Sequence, residues 1–98
     1  MKRIHCDIRG KVQGCGFRYF CWKCAKMSDV TGWAANDTAC NTRVLLEVQG
    51  TEPQLEQFFR LLKKGNGRCR IDSMDKTFVD VVASEKGFQA GYKNLTGG

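Results

Sequence analysis

Three patterns in this 98-residue sequence predict an α+β fold in which two helices cover one face of an antiparallel sheet. Short segments that alternate apolar and polar residues predict half-buried strands. Two longer segments with apolar residues three and four positions apart predict amphipathic helices. These segments follow one another as strand, helix, strand, strand, helix and strand, and a further strand is expected near the end of the chain.

The first half of the chain supplies a strand, a helix and a second strand. Residues 3–9 alternate, and the positions expected to face the core are Ile4, Cys6 and Ile8. From Phe17 onward the spacing becomes helical, and the expected apolar stripe consists of Phe17, Phe20, Cys21, Cys24 and Met27. Residues 29–32 should end this helix, and a strand should follow from Trp33 to Asn36.

The second half of the chain also predicts strands and a helix, and the residues that begin and end the helix are easier to recognise. Thr42–Gln49 alternates as a strand whose inward residues are Val44, Leu46 and Val48. Thr51 and Gln54 have the spacing of a capping box. The helix that follows should bury Leu55, Phe58, Phe59 and Leu62 and end near Gly65. A less regular strand is expected over 69–74, with an extension over 78–82 after a bend, and Phe88, Ala90 and Tyr92 indicate the last strand.

This order is that of the ferredoxin-like split β-α-β arrangement, a two-layer sandwich. A chain of this length buries roughly 60–70% of the surface that its unfolded form exposes, which is enough for one core. We therefore expect a single domain over residues 1–92 and a short flexible tail over 93–98.

The segment Gly10–Arg18 has the composition of an anion-binding loop. Glycines allow tight turns that aim backbone N–H groups inward, and the following helix adds its unpaired N–H groups and positive dipole end. The Arg18 guanidinium matches the geometry of phosphate oxygens, so a phosphoryl group fits this loop best. The expected phosphate-binding residues are Gln13, Gly14, Cys15, Gly16, Phe17 and Arg18.

The predicted topology places Asn36 close to this loop. In a split β-α-β unit the first two strands run parallel with the third between them, so their carboxyl ends emerge at one edge, roughly 10 Å apart. An amide side chain can accept a hydrogen bond from a water and donate one to a phosphate. We therefore expect Arg18 and Asn36 to act in one cleft, with Asn36 orienting a water.

Two short segments resemble the acylphosphatase family. Gly10-Lys11-Val12-Gln13 followed by Gly14-Cys15-Gly16-Phe17-Arg18 is similar to its G-x-V-Q-G-V-x-F-R phosphate loop, and Gly32-Trp33-Ala34-Ala35-Asn36 is similar to its second block. The likeness continues through Gly87-Phe88-Gln89-Ala90-Gly91-Tyr92. It implies a free-standing enzyme that hydrolyses small acyl phosphates to a carboxylate and inorganic phosphate, with Arg18 and Asn36 as catalytic residues and without metal or cofactor.

The chain departs from that family at two places near the expected site. Ala34-Ala35 replaces a pair that usually includes a basic residue, and the turn over 37–41 lacks the usual Asp-Gly. These differences leave open the level of activity, and a phosphate-binding homologue with weak catalysis is the first alternative.

Charge and hydropathy narrow the partners and the compartment. A net charge of +6 suits an anionic partner but does not separate a small phosphate from a nucleic acid. No apolar run is long enough to span a bilayer, and alternation directly after Met1-Lys2-Arg3 differs from a signal peptide. We therefore expect a cytoplasmic monomer without a membrane partner.

The six cysteines are expected to act mainly as small buried hydrophobes, because structural disulfides rarely persist in a reducing compartment. Cys21 and Cys24 form a C-x-x-C, but both lie on the core stripe, which disfavours redox or metal chemistry. Two residues separate Cys15 from Arg18, whereas phosphatases with a cysteine nucleophile need five residues between cysteine and arginine, so a cysteine nucleophile is disfavoured. The sensitivity of Cys15 to oxidation stays open.

RNA binding is the remaining alternative. Residues 14–20 superficially resemble the RNP1 pattern of RRM domains, which share this fold. That pattern belongs on the third strand with outward aromatic residues, whereas here it follows the first strand and Thr42–Gln49 carries no aromatic residue. Nucleic-acid binding is therefore disfavoured.

Overall fold

The strands form a mixed sheet with both helices on one face, which confirms the predicted fold class. The computed structural model describes residues 1–90. Its elements are β1 (Lys2–Lys11), α1 (Phe17–Ser28), β2 (Thr31–Asn36), β3 (Arg43–Gly50), α2 (Glu52–Lys64), β4 (Arg70–Val79) and β5 (Phe88–Gln89). The strand order is β4-β1-β3-β2-β5. The Tyr92 position and the expected tail over 93–98 lie outside the described residues, and the 1–92 domain boundary stays a prediction.

The central strand β3 pairs antiparallel with both β1 and β2. Arg9 lies opposite Arg43 on one side of β3, and Asn36 lies opposite Val44 on the other. β1 and β2 therefore run parallel, and both end beside the start of β3. This confirms the prediction that the loop after β1 and the end of β2 lie at the same edge of the sheet.

The core lies between the helices and the inner face of the sheet. Of the six inward residues that alternation predicted in β1 and β3, Ile4 is half-buried against the core and five are fully buried: Cys6, Ile8, Val44, Leu46 and Val48. The buried residues of α1 are Phe17, Cys21, Cys24, Ala25 and Ser28. Met27 was predicted on this stripe and that was wrong, because the buried face follows Ala25 and Ser28 and leaves the Met27 side chain 64% exposed.

The helix ends differ in how their backbone groups are satisfied. The capping box of α2 is confirmed, since the Gln54 side chain accepts from the Thr51 N–H at 2.8 Å and the Thr51 hydroxyl accepts from the Gln54 N–H at 3.4 Å. α1 begins after Gly16, whose φ is 81°, and has no side-chain cap. Within residues 1–90, the N-cap position of α1 therefore supplies no side chain to accept from the first N–H groups of the helix.

β4 is one continuous edge strand paired with β1, where two pieces separated by a bend were expected. The pairing shifts register between Arg9 and Gly10, where β4 carries one extra residue, Asp72, as a β-bulge. Lys76 lies opposite the buried Cys6 and so faces the helix side, and its ammonium lies 3.9 Å from the centroid of the Phe59 ring. At the other edge, β5 pairs parallel to β2, which makes the sheet mixed.

The outer face of the sheet carries a buried ion-pair network. Arg3, which is only 2% exposed, donates to Glu47 at 2.7 Å and to Glu85 at 2.8 and 3.0 Å. Glu85 also accepts from the Thr31 hydroxyl at 2.7 Å. The segment between β4 and β5 is thereby fixed over the start of β1 and β2. No helix within residues 1–90 is long and apolar enough to cross a membrane.

Three of the four free cysteines are small hydrophobes in the core, as predicted. Cys6, Cys21 and Cys24 are buried and unpaired. Burial raises the pKa of Cys6 to about 12 and that of Cys24 to about 11, so both stay protonated thiols at neutral pH. The C-x-x-C of α1 accordingly has no exposed sulfur for exchange.

Gly32 is a position in β2 that only glycine can occupy. Its φ is +146°, and a Cβ there would collide with the carbonyl oxygen of Glu47 on the neighbouring strand. We expect Gly32→Ala to lower the free energy of unfolding by more than about 3 kcal/mol, measured by urea denaturation. Gly67→Ala is the control, because Gly67 also has a positive φ but no atom lies within 4 Å of its added Cβ. A loss for Gly32→Ala no larger than for the control would contradict this.

Candidate active site

The loop between β1 and α1 is shaped by two glycines in the left-handed region. Gly14 has a φ of 75° and Gly16 a φ of 81°. The first hydrogen bond inside α1 runs from the Phe20 N–H to the Gly16 carbonyl at 3.0 Å, so the preceding N–H groups of the first turn have no acceptor within the helix. No acidic residue lies in that turn. The loop therefore presents N–H groups and the positive end of the α1 dipole.

A small cavity of about 160 Å³ joins this loop to the end of β2. Its lining residues are Val12, Gly14, Gly16, Phe17, Arg18, Tyr19, Asn36 and Ala90. Five of the seven residues predicted for the site thus line one cavity. Cys15 and Gln13 do not line it, and their side chains make other contacts described below.

Asn36 contributes an unsatisfied acceptor to this cavity. Its Oδ1 atom is buried and accepts no hydrogen bond from the described residues. An unpaired buried acceptor costs about 1–3 kcal/mol, so such an atom is costly to keep unless something in the cavity pairs with it. A water or a ligand hydroxyl in the cavity would supply the missing donor.

The Gln13 side chain links the loop to the turn after β2. Its Nε2 lies 3.0 Å from the carbonyl oxygen of Asp37 and 2.9 Å from those of Cys40 and Arg43. Sequence reasoning assigned Gln13 only a backbone N–H toward phosphate and missed this contact. The amide therefore holds the loop against the turn that follows Asn36.

Arg43 fixes the same turn from its other side. Its guanidinium donates to Asp7 at 2.7 and 3.0 Å and to Asp37 at 3.1 Å. Hydrogen bonding from Arg43 lowers the pKa of Asp7, and the Ala39 N–H together with Arg43 lowers the pKa of Asp37. Although the turn lacks Asp-Gly, it is held by hydrogen bonds on both sides.

Cys15 and Cys69 form a disulfide, which corrects the expectation that these two would act only as unpaired hydrophobes. They are 54 residues apart in sequence, and their Cα atoms are 5.6 Å apart. The pairing of Lys11 with Arg70 brings them together, a contact that depends on the register of β4. The disulfide ties the loop to the start of β4, and a bonded Cys15 sulfur is not a nucleophile.

Asn66 adds hydrogen bonds beside this disulfide. Its side-chain N–H donates to the Cys15 carbonyl at 3.3 Å, and its Oδ1 accepts from the N–H groups of Arg68 and Cys69, both at 2.9 Å. The segment before β4 is therefore fixed to the loop by a covalent and a polar contact.

The aromatic residues of the RNP1-like segment lie on α1 and not on the sheet, and of these Tyr19 is exposed to solvent on the helix. Phe17 is 2% exposed and belongs to the core, and Phe20 packs against that core. Stacking of bases needs exposed rings on the sheet surface, so this segment does not form the platform of an RNA-binding domain.

Comparisons with known proteins give one consistent result. Residues 4–90 match the family model Acylphosphatase. The chain is 38% identical to an acylphosphatase of Clostridium beijerinckii over 92 residues, covering 94% of this chain and 100% of that one. It is 37% identical to an acylphosphatase of Geobacillus kaustophilus over 92 residues, covering 94% and 96%. The crystal structure of an acylphosphatase from Bacillus subtilis superimposes with a TM-score of 0.83 at 27% identity, covering 94% and 100%.

The disulfide should contribute measurably to stability. Closing a loop of 54 residues in the unfolded chain corresponds to about 4 kcal/mol in the chain-entropy model. We expect Cys69→Ser, or a phosphine reductant added to the unchanged protein, to lower the midpoint of thermal unfolding. Cys40→Ser is the matched control, because Cys40 forms no disulfide. Equal midpoints with and without reductant, in a sample shown by thiol titration to start oxidised, would count against this contribution.

The Asp7–Arg43–Asp37 contacts should make stability depend on pH. Both carboxyls have lowered pKa values in the folded state, so the stability they add is present above their unfolded pKa of about 4 and is lost as pH falls through the folded values. We expect Arg43→Met to lower the free energy of unfolding at pH 7 and to differ less from the unchanged protein at pH 3. Urea denaturation at both pH values measures this, with Arg60→Met as control. A difference that is the same at both pH values would contradict it.

Proposed function

The chain belongs to the acylphosphatase family and hydrolyses acyl phosphates, and we propose that it does so in the cavity between the β1–α1 loop and Asn36. The phosphoryl group binds the loop, a water attacks the phosphorus in line, and the carboxylate leaves on the opposite side. The products are a carboxylate and inorganic phosphate. The observation that carries this proposal is the buried, unsatisfied Asn36 Oδ1 in the same cavity as Arg18.

The phosphoryl oxygens are held by backbone N–H groups and one guanidinium. The N–H groups are those of Gln13, Gly14, Cys15, Gly16, Phe17 and Arg18. Because Gly16 leaves the start of α1 without a side-chain cap, these donors and the helix dipole act on the anion in place of a capping side chain. The Arg18 side chain neutralises charge that develops on the phosphoryl oxygens in the transition state.

Asn36 positions the attacking water. Its Oδ1 accepts a hydrogen bond from the water, and its amide N–H groups can donate to a phosphoryl oxygen, which fixes the water on the side of the phosphorus facing β2. An amide is a poor base, but the reaction does not need a strong one. The leaving carboxylate has a conjugate acid with a pKa of about 4, so it departs without being protonated.

The same reasoning makes a metal ion unnecessary. The charge on the phosphoryl group is met by the guanidinium and the N–H groups, and the leaving group needs no Lewis acid to depart. The monomeric state of the protein stays a prediction. We propose that inorganic phosphate binds the same loop as product; the cytoplasmic location stays a prediction.

Hydrolysis of benzoyl phosphate with chelator present tests the two roles. We expect Arg18→Ala to lose phosphate binding and to lower kcat/KM by about a thousandfold or more, because it removes charge stabilisation. We expect Asn36→Ala to keep phosphate affinity while kcat falls on the order of a hundredfold, because only the water loses its position.

Each control replaces the same type of residue at a position outside the proposed site. Arg60→Ala removes a cation from the exposed face of α2, and Asn41→Ala removes an amide from the exposed turn after β2. Both should retain the unchanged kcat and KM. An unchanged kcat in a folded Asn36→Ala variant would show that Asn36 does not position the water. An unchanged phosphate affinity in Arg18→Ala would contradict phosphate binding in the β1–α1 loop.

A further inference from the structure

We propose that Arg68 is a second anion-binding residue of this site and contacts an oxygen of the bound phosphoryl group. This inference rests on the proposed binding of phosphate in the β1–α1 loop. It assigns a binding role to an exposed residue that the sequence analysis did not include in the site.

The position of the Arg68 guanidinium is the first support. Its Nη2 lies 3.2 Å from the point where a Cβ on Gly16 would stand. Gly16 precedes the first residue of α1 and lines the cavity together with Arg18. The cation of Arg68 therefore lies against the backbone that is proposed to hold the phosphoryl group, and a larger residue at 16 would push it away.

The charges around this guanidinium are the second support. Arg3, Arg43 and Arg70 each pair with carboxylates, whereas the Arg68 guanidinium makes no side-chain hydrogen bond or ion pair within residues 1–90. It lies beside the positive end of the α1 dipole, where a cation is unfavourable. A bound dianion makes the net interaction favourable, because the helix end and both guanidiniums then face negative charge.

The backbone that carries Arg68 is fixed to the loop, which is the third support. The Arg68 N–H donates to Asn66 Oδ1 at 2.9 Å, and the next residue, Cys69, is bonded to Cys15. Asn66 also donates to the Cys15 carbonyl at 3.3 Å. Only the side chain of Arg68 must then be ordered when it contacts an anion, which lowers the entropic cost of that contact.

Arg18 and Arg68 approach the loop from different parts of the fold. Arg18 belongs to the first turn of α1, whereas Arg68 precedes β4. Arg68 is exposed, so its contact with phosphate should be of similar strength in the ground state and the transition state. Such uniform binding changes KM and leaves kcat nearly unchanged.

The test compares Arg68→Ala, Arg68→Lys, Arg60→Ala and Arg18→Ala with the unchanged protein. Benzoyl phosphate hydrolysis gives kcat and KM, and inorganic phosphate as competitive inhibitor gives the inhibition constant. We expect Arg68→Ala to raise KM and the phosphate inhibition constant roughly three- to tenfold with kcat within about twofold. Arg68→Lys should recover part of this, because the charge stays and the planar fork is lost.

Salt adds a readout that a merely structural role would not move. The difference between Arg68→Ala and the unchanged protein should shrink as ionic strength rises, because an exposed ion pair is screened. Arg60→Ala removes the same charge from α2, so it corrects for net charge alone. Circular dichroism and thermal unfolding confirm that each variant is folded.

Two results would overturn the assignment: Arg68→Ala behaving like Arg60→Ala, or Arg68→Ala lowering kcat while KM and phosphate inhibition stay unchanged. Arg18→Ala separates this failure from failure of the site itself. If Arg18→Ala loses phosphate binding while Arg68→Ala does not, only the role of Arg68 is wrong. If neither variant changes phosphate binding, the loop is not the phosphate site and the inference fails with it.

Discussion

The geometry of the proposed site depends on β3 lying between β1 and β2. Val44, Leu46 and Val48 are fully buried, and a slip of one residue in either pairing would turn them away from the core. This register sets Arg9 opposite Arg43 and Asn36 opposite Val44. The loop after β1 and the amide at the end of β2 are therefore positioned by burial of aliphatic side chains in the core. Packing of the core brings the β1–α1 loop close to the end of β2, and the contacts of Gln13 and Arg43 then fix their relative positions.

Local patterns predicted those parts of the fold whose cause is local. The alternation of β1 and β3 and the Thr51 capping box each follow from neighbouring residues, and the structure reproduces them. The buried face of α1 was misjudged at Met27, because packing against the sheet, not the helix period alone, decides which side of a broad stripe is covered. β4 was predicted in two pieces because an edge strand is exposed on much of both faces and so lacks clean alternation, although β1 pairs with its whole length.

In the site, the order of the elements predicted which segments lie close together, but it did not predict the side-chain contacts between them. The shared edge for the loop and Asn36 followed from the order of elements, and the structure has both in one cavity. The contacts of Gln13 join residues 24 to 30 positions apart, and the disulfide joins residues 54 apart, so no local pattern reports either. A reducing compartment is a property of the surroundings of the chain and carries no information on whether Cys15 and Cys69 meet.

The lysine on the inner face of β4 has a consequence for the behaviour of the protein at high concentration. β4 is a ten-residue edge strand, and its unpaired backbone groups form a template to which another strand can add. Lys76 lies there between Met74 and Phe78, the residues two positions away on the same face, with its ammonium against the Phe59 ring. A second sheet extending from this edge would have to bury that ammonium within an apolar strip, which costs several kcal/mol without a counter-charge. One inward charge thus disfavours the addition of another strand at β4, the longer of the two sheet edges within residues 1–90.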